Sequence, residues 1–287
     1  MKYDFSAIVT KVQDTFKQSE LKNKVGVGSK LKVFSDDDFL KLGKWWSEPT
    51  KMAGLPYGAC TLIAGEPDSG KSSLCIQTML AAQQQGVAII FCETEKKCNK
   101  NDLVSWGVDP DQVMLIQTSL AEQAFELTNR SIDQFREAYP TQPLLVIIDS
   151  IGNLITNRDA EMNLIESSSK PGGHGTINRI GIAGIIARME ADCKMCVLLV
   201  SYVYDNIGSV GKTNAGGKAL GYYSSLIYQT SRKAWYERTQ DGQKIRAGAD
   251  VMYRLYKNHI CKENPGAKQI VWRITKDGIT HLESSED

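Results

Sequence analysis

Apolar residues are grouped along this chain in short continuous runs that alternate with longer, periodic stretches. The runs of strand length are Ala59–Ala64, Val87–Cys92, Leu144–Ile148 and Val197–Val200. The stretches with helical periodicity are Ser73–Ala82, Leu120–Tyr139 and Ile177–Asp192. Continuous apolar runs are typical of strands covered on both faces, and their alternation with helices indicates βαβ units. We therefore predict a mostly parallel central sheet between about Leu55 and Ile279.

The pattern changes after Tyr202, where the strand-like runs follow one another more closely. These later runs are Leu226–Tyr228, Met252–Leu255 and Ile270–Ile274. Parallel strands need long crossover connections, whereas antiparallel strands are joined by short turns. The predicted fold class is therefore α/β, with an antiparallel extension on a mostly parallel sheet.

The N-terminal segment predicts one amphipathic helix, whose apolar residues are Phe5, Ile8, Val9, Val12 and Phe16. Lys24–Gly28 then indicates a short strand or an extended linker. This arm could fold back on its own domain or dock on a neighbouring copy. We divide the chain into an arm and linker (1–50), a core (51–282) and an acidic tail (283–287) that we expect to be disordered.

Two short features precede the predicted core. Asp36–Asp38 would cap a helix over Phe39–Leu42, and a cation site is the alternative. The pair Trp45 and Trp46 would pack at the edge of the core, and exposed binding aromatics are the alternative.

Composition narrows the class of protein. The 287 residues are 42% hydrophobic and 23% charged, which is ordinary for a soluble globular chain. No apolar run reaches the roughly 18 residues of a membrane span, and the first residues contain no signal-peptide core. The seven cysteines, an odd number, favour reduced thiols, and Cys193 and Cys196 indicate the start of a buried strand. The expected location is the cytoplasm.

Charge is uneven along the chain. The net charge is only +1, yet Tyr202–Lys276 contains thirteen Lys and Arg against five Asp and Glu, a local balance of +8. Such a segment can bind a polyanion, and the solvated face of a sheet is the alternative.

The strongest chemical signal directly follows the first strand of the core. Residues 65–72 fit the phosphate-loop pattern G-x-x-x-x-G-K-[ST], with a strand before them and a helix after them. The glycines let the backbone approach an anion, and N–H groups at the helix start point at it. The predicted nucleotide-binding residues are Gly65, Glu66, Pro67, Asp68, Ser69, Gly70, Lys71, Ser72 and Ser73. Lys71 would reach the terminal phosphates, and Ser72 would bind Mg²⁺.

Acidic residues end two of the later strands. Asp149 ends the strand Leu144–Ile148, where it could hold the Mg²⁺ shell through water or Ser72. Glu93 and Glu95 follow the strand Val87–Cys92, and either could orient an attacking water. Chemistry alone does not choose between these two glutamates.

Three further motifs follow the phosphate loop in order, at Gly107–Pro110, Asp149–Leu154 and Gly216–Leu220. Together with the loop they resemble the RecA family of recombinases over roughly Leu55 to Ile279. The Ser150–Leu154 stretch is more similar to the recombinase of T-even phages than to the bacterial protein.

The resemblance implies a RecA-like P-loop ATPase core with an N-terminal helix-strand oligomerisation arm, Phe5–Val27. It implies that ATP and Mg²⁺ bind between subunits of a helical filament formed on single-stranded DNA. It also implies DNA-dependent ATP hydrolysis, pairing with homologous duplex DNA and strand exchange. Mediator and single-strand-binding proteins would be further partners, and a phage-encoded protein would work in the cytoplasm of its bacterial host.

The resemblance also assigns roles to residues of the nucleotide site. Glu95 matches the family's catalytic glutamate and is favoured over Glu93, with Lys71 as the other catalytic residue of the same subunit. Lys257 matches a lysine that reaches the γ-phosphate of the adjacent subunit. His259 stands where the bacterial protein has a second lysine. Tyr202 occupies the position of the polar switch residue.

Two Gly-rich loops, about 158–176 and 203–217, would line the DNA. The implied DNA-binding residues are Arg179, Ile207, Gly208, Gly216, Gly217 and Lys218. Asp102 departs from the family pattern, because a tyrosine that stacks on adenine is found at this position in the bacterial protein. Tyr204 replaces an arginine and could stack on bases. The large C-terminal domain of relatives would be absent or reduced.

Two alternatives stay open. The first is an accessory RecA-fold mediator or paralogue that binds DNA without strand exchange, which the substitution at Tyr202 favours. The second is a ring-forming RecA-fold helicase-type ATPase.

Overall fold

The fold is described from a computed structural model. The residues that it describes are 5–15, 34–161, 173–189, 194–205, 212–215, 217–240, 242–260 and 269–282. The chain forms two compact units, Met1–Ser35 and Asp36–Asp287.

The smaller unit contains the predicted amphipathic helix as α1 (Phe5–Thr15). Ile8 is exposed on this helix, and Val9 and Val12 are half-buried. The predicted strand or linker at Lys24–Gly28 lies outside the described residues.

The larger unit is built on a twisted sheet of parallel strands that continues into antiparallel ones. The parallel strands are β3 (Cys60–Gly65), β4 (Ala88–Glu93), β5 (Val113–Gln117), β6 (Leu144–Asp149), β7 (Met195–Asp205) and the first part of β9 (Leu226–Gln240). Their order across the sheet is β9-β3-β7-β6-β4-β5. Every pair in this series is parallel, as the continuous apolar runs predict.

The antiparallel part extends the sheet beyond β9. Its strands are β10 (Gln243–Asn258), β11 (Gln269–Thr275) and β12 (Gly278–Leu282), and β8 (Lys212–Asn214) pairs with the end of β7. β9 and β10 form a long hairpin whose register shifts at three places. The predicted fold class, a mostly parallel α/β sheet with an antiparallel extension, is confirmed.

Helices cover both faces of this sheet. They are α3 (Lys71–Gln84), α4 (Lys100–Ser105), α5 (Ala121–Ala138), α7 (Gly173–Ala187) and α8 (Ala219–Tyr223), whereas the short helix α6 (Asn157–Glu161) is exposed. Alternate residues of each buried strand point to opposite faces. Phe91 therefore joins the apolar cluster under α3, whereas Ile90 joins the cluster under α5 and α7. This two-sided burial holds the carboxyl ends of the strands in one row.

Residues 36–50, which we predicted to belong to the arm and linker, are part of the larger unit. β1 (Phe39–Lys41) pairs with β2 (Gly54–Pro56), and α2 (Lys44–Thr50) lies between them in sequence. Trp46 is fully buried and stacks on Trp272, with ring centroids 5.4 Å apart. The packing interpretation of Trp46 is therefore confirmed.

The helix that we predicted after Asp36–Asp38 does not form. These residues make a single 3-10 turn, and the chain continues directly into β1. Leu40 is fully buried opposite Leu55, so pairing with β2 outweighs the local capping signal. No group of three or more His, Cys, Asp and Glu in the described residues is arranged to hold a metal, so the cation alternative gains no support.

The first predicted loop, 158–176, is helical at both ends. Its first residues belong to α6 and its last residues to α7. Residues 162–172 lie outside the described part. Within the ranges described above, no helix is both long and apolar enough to cross a membrane.

Candidate functional site

The phosphate loop connects β3 to α3 at the carboxyl edge of the sheet. Gly70 has a φ of 77°, and a Cβ added there would lie 2.2 Å from Cδ1 of Ile274. A Cβ on Gly65 would lie 1.9 Å from Oγ1 of Thr230. Gly65 is therefore required by space, since its Cβ would also lie 2.5 Å from the Thr230 carbonyl oxygen, and Gly70 is favoured by its left-handed backbone.

Hydroxyl groups fasten the loop to the neighbouring strand. The Ser69 hydroxyl donates to the Glu66 carbonyl at 2.7 Å. It also shares a hydrogen bond of 2.6 Å with the Thr230 hydroxyl of β9. The loop is thus held by β9 as well as by the helix that follows it.

Lys71 folds back over this loop. Its ammonium group donates to the carbonyl oxygens of Gly65 and Glu66, at 3.0 and 2.6 Å. Burial lowers the pKa of Lys71, while the carboxylates of Asp149 and Glu95 act in the opposite direction. The cationic end of Lys71 is therefore located at the loop, where a phosphate could replace the carbonyl groups.

The two predicted metal-binding residues are in contact. Asp149 ends β6 and accepts a hydrogen bond from the Ser72 hydroxyl. The pKa of Asp149 is raised to about 6, chiefly by burial, with the Ser72 hydrogen bond acting to lower it and the negative charge of Glu95 adding to the rise. Mg²⁺ needs only one or two protein oxygens besides waters and phosphate oxygens, so this pair fits the ion.

Glu93 and Glu95 differ sharply in their surroundings. Glu93 is buried, and its Oε1 accepts from the backbone N–H groups of Glu95 and Lys97, both at 3.1 Å. Its other oxygen is 3.4 Å from the Gln117 amide. The carboxylate of Glu93 is thus occupied in holding the turn that carries Glu95.

The Glu95 carboxylate lies at the edge of a cavity with three donors around it. Oε1 accepts from the Ser150 hydroxyl at 2.8 Å and from the Asn153 amide, and Oε2 accepts from the Lys97 ammonium. Desolvation acts to raise the pKa of Glu95, but the bonds with Lys97 and Ser150 hold it below its ordinary value. Glu95 is therefore ionised near neutral pH.

A cavity of about 510 Å³ brings these groups together. Its lining residues include Lys71, Ser72, Glu95, Asn153 and Tyr202. A smaller cavity of about 250 Å³ continues past Ser72 towards Trp106 and Asp102, with Asp149 in its wall. The phosphate loop and the predicted carboxylates thus share one connected site.

Tyr202 connects this site to the second predicted loop. Its ring packs against Gly152, where an added Cβ would lie 2.6 Å from Cε1. Its carbonyl oxygen accepts from the N–H of Ala215 at 2.8 Å. Tyr202 therefore lies between the cavity and the β7–β8 pair.

Lys257 and His259 are not among the residues that line either cavity. They lie at the open end of the β9–β10 hairpin, away from its turn. Lys257 donates there to the Gly221 carbonyl at 2.8 Å. The backbone N–H of His259 donates to the Ser225 carbonyl at 2.9 Å. Within one chain the structure does not join them to the phosphate loop.

Three of the predicted DNA-binding residues, Arg179, Gly217 and Lys218, lie in the described part of the chain. Arg179 and Lys218 are exposed, on α7 and just before α8. A Cβ on Gly217 would lie 3.4 Å from Cα of Gly175, so the beginning of α7 adjoins the second predicted loop. Ile207, Gly208 and Gly216 lie outside the described residues.

Sequence reasoning gave no role to several residues of this site. Asn153 stood inside a recognised motif, but only the fold shows that its amide reaches Glu95. For Lys97 the sequence offered one signal, because its positive charge lies two residues after a candidate catalytic carboxylate. Asp102 lines the smaller cavity, yet its carboxylate accepts from the N–H of Asn99 at 3.1 Å and forms a capping box.

These features define the class of protein: an α/β protein whose phosphate loop lies at the carboxyl edge of a mostly parallel sheet. The sequence model of the RecA N-terminal domain matches residues 46–273. The chain therefore belongs to the RecA family.

Individual relatives are similar at low identity. The chain is 24% identical over 226 residues to Protein RecA of Fusobacterium nucleatum subsp. nucleatum, covering 78% of this chain and 56% of the relative. It is 26% identical over 218 residues to Protein RecA of Mycoplasma genitalium, covering 75% and 61%. It is 24% identical over 238 residues to Protein RecA of Marinobacter nauticus, covering 80% and 63%. The chain thus spans little more than half the length of the curated relatives it matches.

Proposed function

We propose that this protein is an ATP-dependent DNA recombinase that forms helical filaments on single-stranded DNA and promotes homologous pairing and strand exchange. The observation that carries the proposal is the arrangement of Lys71, Ser72, Asp149 and Glu95 around two adjoining cavities, which share Ser72 and Glu95 in their walls. This set supplies a cation for the terminal phosphates, oxygen ligands for a metal and a carboxylate for water. The family membership supports the same function.

The proposed reaction is hydrolysis of ATP to ADP and phosphate. Ser72 and Asp149 would hold Mg²⁺, whose role is to neutralise charge on the phosphate oxygens. Lys71 would exchange its bonds with the loop carbonyls for bonds with the phosphates. Glu95 would accept the proton of the attacking water, because its carboxylate is ionised and its side chain is 21% exposed.

We propose further that a second subunit completes the site. Lys257 and His259 lie outside the cavity of their own chain and would serve the cavity of the next subunit. The segment Phe5–Val27 was assigned to an oligomerisation arm, and we retain that role for this segment, which lies in the smaller unit, Met1–Ser35. ATP bound between subunits would stabilise the filament by mass action, and hydrolysis would release it.

Arg179, Gly217 and Lys218 are proposed to bind the DNA backbone, with Ile207, Gly208 and Gly216 in the same loop. The basic balance of Tyr202–Lys276 supports a polyanion partner. Tyr202 would couple the cavity to this loop. The Ser150–Leu154 stretch favours the T-even phage type of recombinase, acting in the host cytoplasm with mediator and single-strand-binding proteins.

Electron micrographs with a non-hydrolysable ATP analogue, with and without single-stranded DNA, test the proposal directly. We expect helical filaments that need the analogue and DNA, and ATP hydrolysis that DNA stimulates and salt suppresses. The absence of both filaments and DNA-stimulated hydrolysis would refute the proposal. Closed rings would favour the helicase-type alternative.

One observation favours a second candidate, the accessory mediator. Tyr202 lines the cavity with a phenol where relatives carry a glutamine or histidine, so the coupling between ATP and DNA would differ. A mediator would form DNA complexes without producing joint molecules between homologous DNAs.

A further inference from the structure

A turn between β4 and α4 places a lysine against the carboxylate proposed to activate water. The buried carboxylate of Glu93 accepts the backbone N–H groups of Glu95 and Lys97, which closes the turn. Between them, Lys96 has a φ of 55°, so the chain reverses at that residue. The result is that the side chains of Glu95 and Lys97 meet as an ion pair.

The donors divide unequally between the two oxygens of Glu95. Ser150 and Asn153 both bond to Oε1, whereas Lys97 is the one donor to Oε2 among the residues that the structure describes. A carboxylate oxygen accepts about two hydrogen bonds, so Oε1 is fully occupied and one position stays open on Oε2. The open position belongs to the oxygen that Lys97 holds.

We propose that Lys97 is a positioning residue for ATP hydrolysis, which orients Oε2 of Glu95 towards the attacking water. The inference rests on the proposed function. In the step itself, the water oxygen forms a bond to the γ-phosphorus as its proton passes to Oε2. The bond from the γ-phosphorus to the β–γ bridging oxygen breaks, and its electron pair leaves with ADP. Lys97 gains and loses no atom.

The exposure of Lys97 distinguishes a positioning role in hydrolysis from a role in stabilising the fold. Its side chain is 78% exposed, and exposed ion pairs contribute little to stability. The same side chain lines both cavities beside Ser72 and Ser73. Replacement of Lys97 should therefore change turnover far more than it changes folding.

A direct bond from Lys97 to a phosphate is the competing role, and it predicts different kinetics. Loss of a phosphate ligand would weaken ATP binding, whatever residue stands at position 95. Loss of a positioning residue would lower kcat while KM stays nearly constant, and only when Glu95 is present.

The test compares Lys97→Met, Lys97→Arg and the matched control Lys96→Met in the full chain. Lys96 is the adjacent exposed lysine of the same turn, and its substitution removes the same charge. Steady-state ATP hydrolysis with single-stranded DNA gives kcat and KM, and binding of a fluorescent non-hydrolysable ATP analogue gives Kd. Thermal melting checks that each variant is folded.

We expect Lys97→Met to lower kcat by roughly tenfold or more, since small misplacements of catalytic groups cost up to about 100-fold. KM and Kd should stay within about twofold, Lys97→Arg should recover most of the rate, and Lys96→Met should match the unaltered chain. In a Glu95→Gln background, Lys97→Met should have no additional effect.

Unchanged kcat in Lys97→Met would overturn the inference, and so would an effect of equal size in the Glu95→Gln background. A rise in Kd without a fall in kcat would assign Lys97 to phosphate binding instead. These results would leave the proposed function intact. Absence of hydrolysis by the unaltered chain would remove the proposed function and this inference with it.

Discussion

The two sides of the sheet beside β9 differ in how much of a site each one completes. At the carboxyl edge, Thr230 of β9 supports a phosphate loop whose lysine, hydroxyl and carboxylate groups already surround one cavity. Three residues nearer the amino edge, where Ile227 of β9 pairs with Lys257, the side chain of Lys257 donates to the Gly221 carbonyl and the backbone of His259 donates to the Ser225 carbonyl. The comparison teaches that the proposed nucleotide site is formed within one chain, whereas the proposed γ-phosphate contact needs a second copy.

The largest expected effect belongs to the carboxyl edge, where the proposed site is complete. Lys71→Ala should lower ATP hydrolysis by about 1,000-fold or more and abolish ATP-dependent assembly, because no other described lysine occupies the phosphate loop. Hydrolysis assays and micrographs measure these effects, and circular dichroism should show an intact fold. Lys100→Ala is a surface control. Hydrolysis at the parental rate would remove the loop from its central role.

Glu95→Gln should have the next largest effect. Loss of a general base typically costs about 100-fold to 10,000-fold in rate, while the phosphate contacts that bind ATP remain. We therefore expect ATP binding with long-lived filaments, measured by single-turnover hydrolysis and filament lifetime. Rapid turnover in this variant would move the role to Glu93, which the geometry otherwise assigns to holding the turn.

Lys257→Ala tests the contact that is proposed to need a second copy. Hydrolysis in filaments should fall about tenfold to 100-fold, while binding of the analogue by single subunits stays within twofold. Mixing Lys257→Ala with Lys71→Ala chains is the decisive measurement. Some junctions would then combine an intact loop with an intact Lys257, so activity should return in part. Lys244→Ala, an exposed lysine near the tip of the same hairpin, is the control. No recovery in the mixture would argue against a shared site.

The smallest expected effect concerns Asp102. Its carboxylate caps α4, and loss of a capping contact costs about 1 kcal/mol of unfolding free energy. Asp102→Ala should lower stability by that amount in urea unfolding and leave the ratio of ATP to GTP affinity within about twofold. A larger change in that ratio would show that Asp102 recognises the base.

The elements nearest the phosphate loop could be predicted because their signals are local. β3, the glycine loop and α3 each occupy a continuous stretch with its own pattern, and the structure confirms all of them. Asp149 was located by the strand that it ends.

The remaining features depend on residues that are distant in sequence. Trp46 joins the core by stacking on Trp272, and no local pattern reports such a contact. The difference between Glu93 and Glu95 likewise depends on which side chain reaches Ser150 and Asn153. Periodicity placed both glutamates at one strand end, the family resemblance favoured Glu95, and the hydrogen bonds of the structure supply the physical difference between them.

The close approach of Gly65 to Thr230 has a mechanical consequence. No side chain fits between this glycine and β9, so the loop cannot shift towards the strand without displacing it. β9 is paired with β10 along most of its length, and β10 ends at the residues proposed to face the next subunit. An occupied loop would therefore press on β9, which is joined to β10 by backbone hydrogen bonds. The adjoining subunit could then sense the nucleotide through the backbone of these two strands.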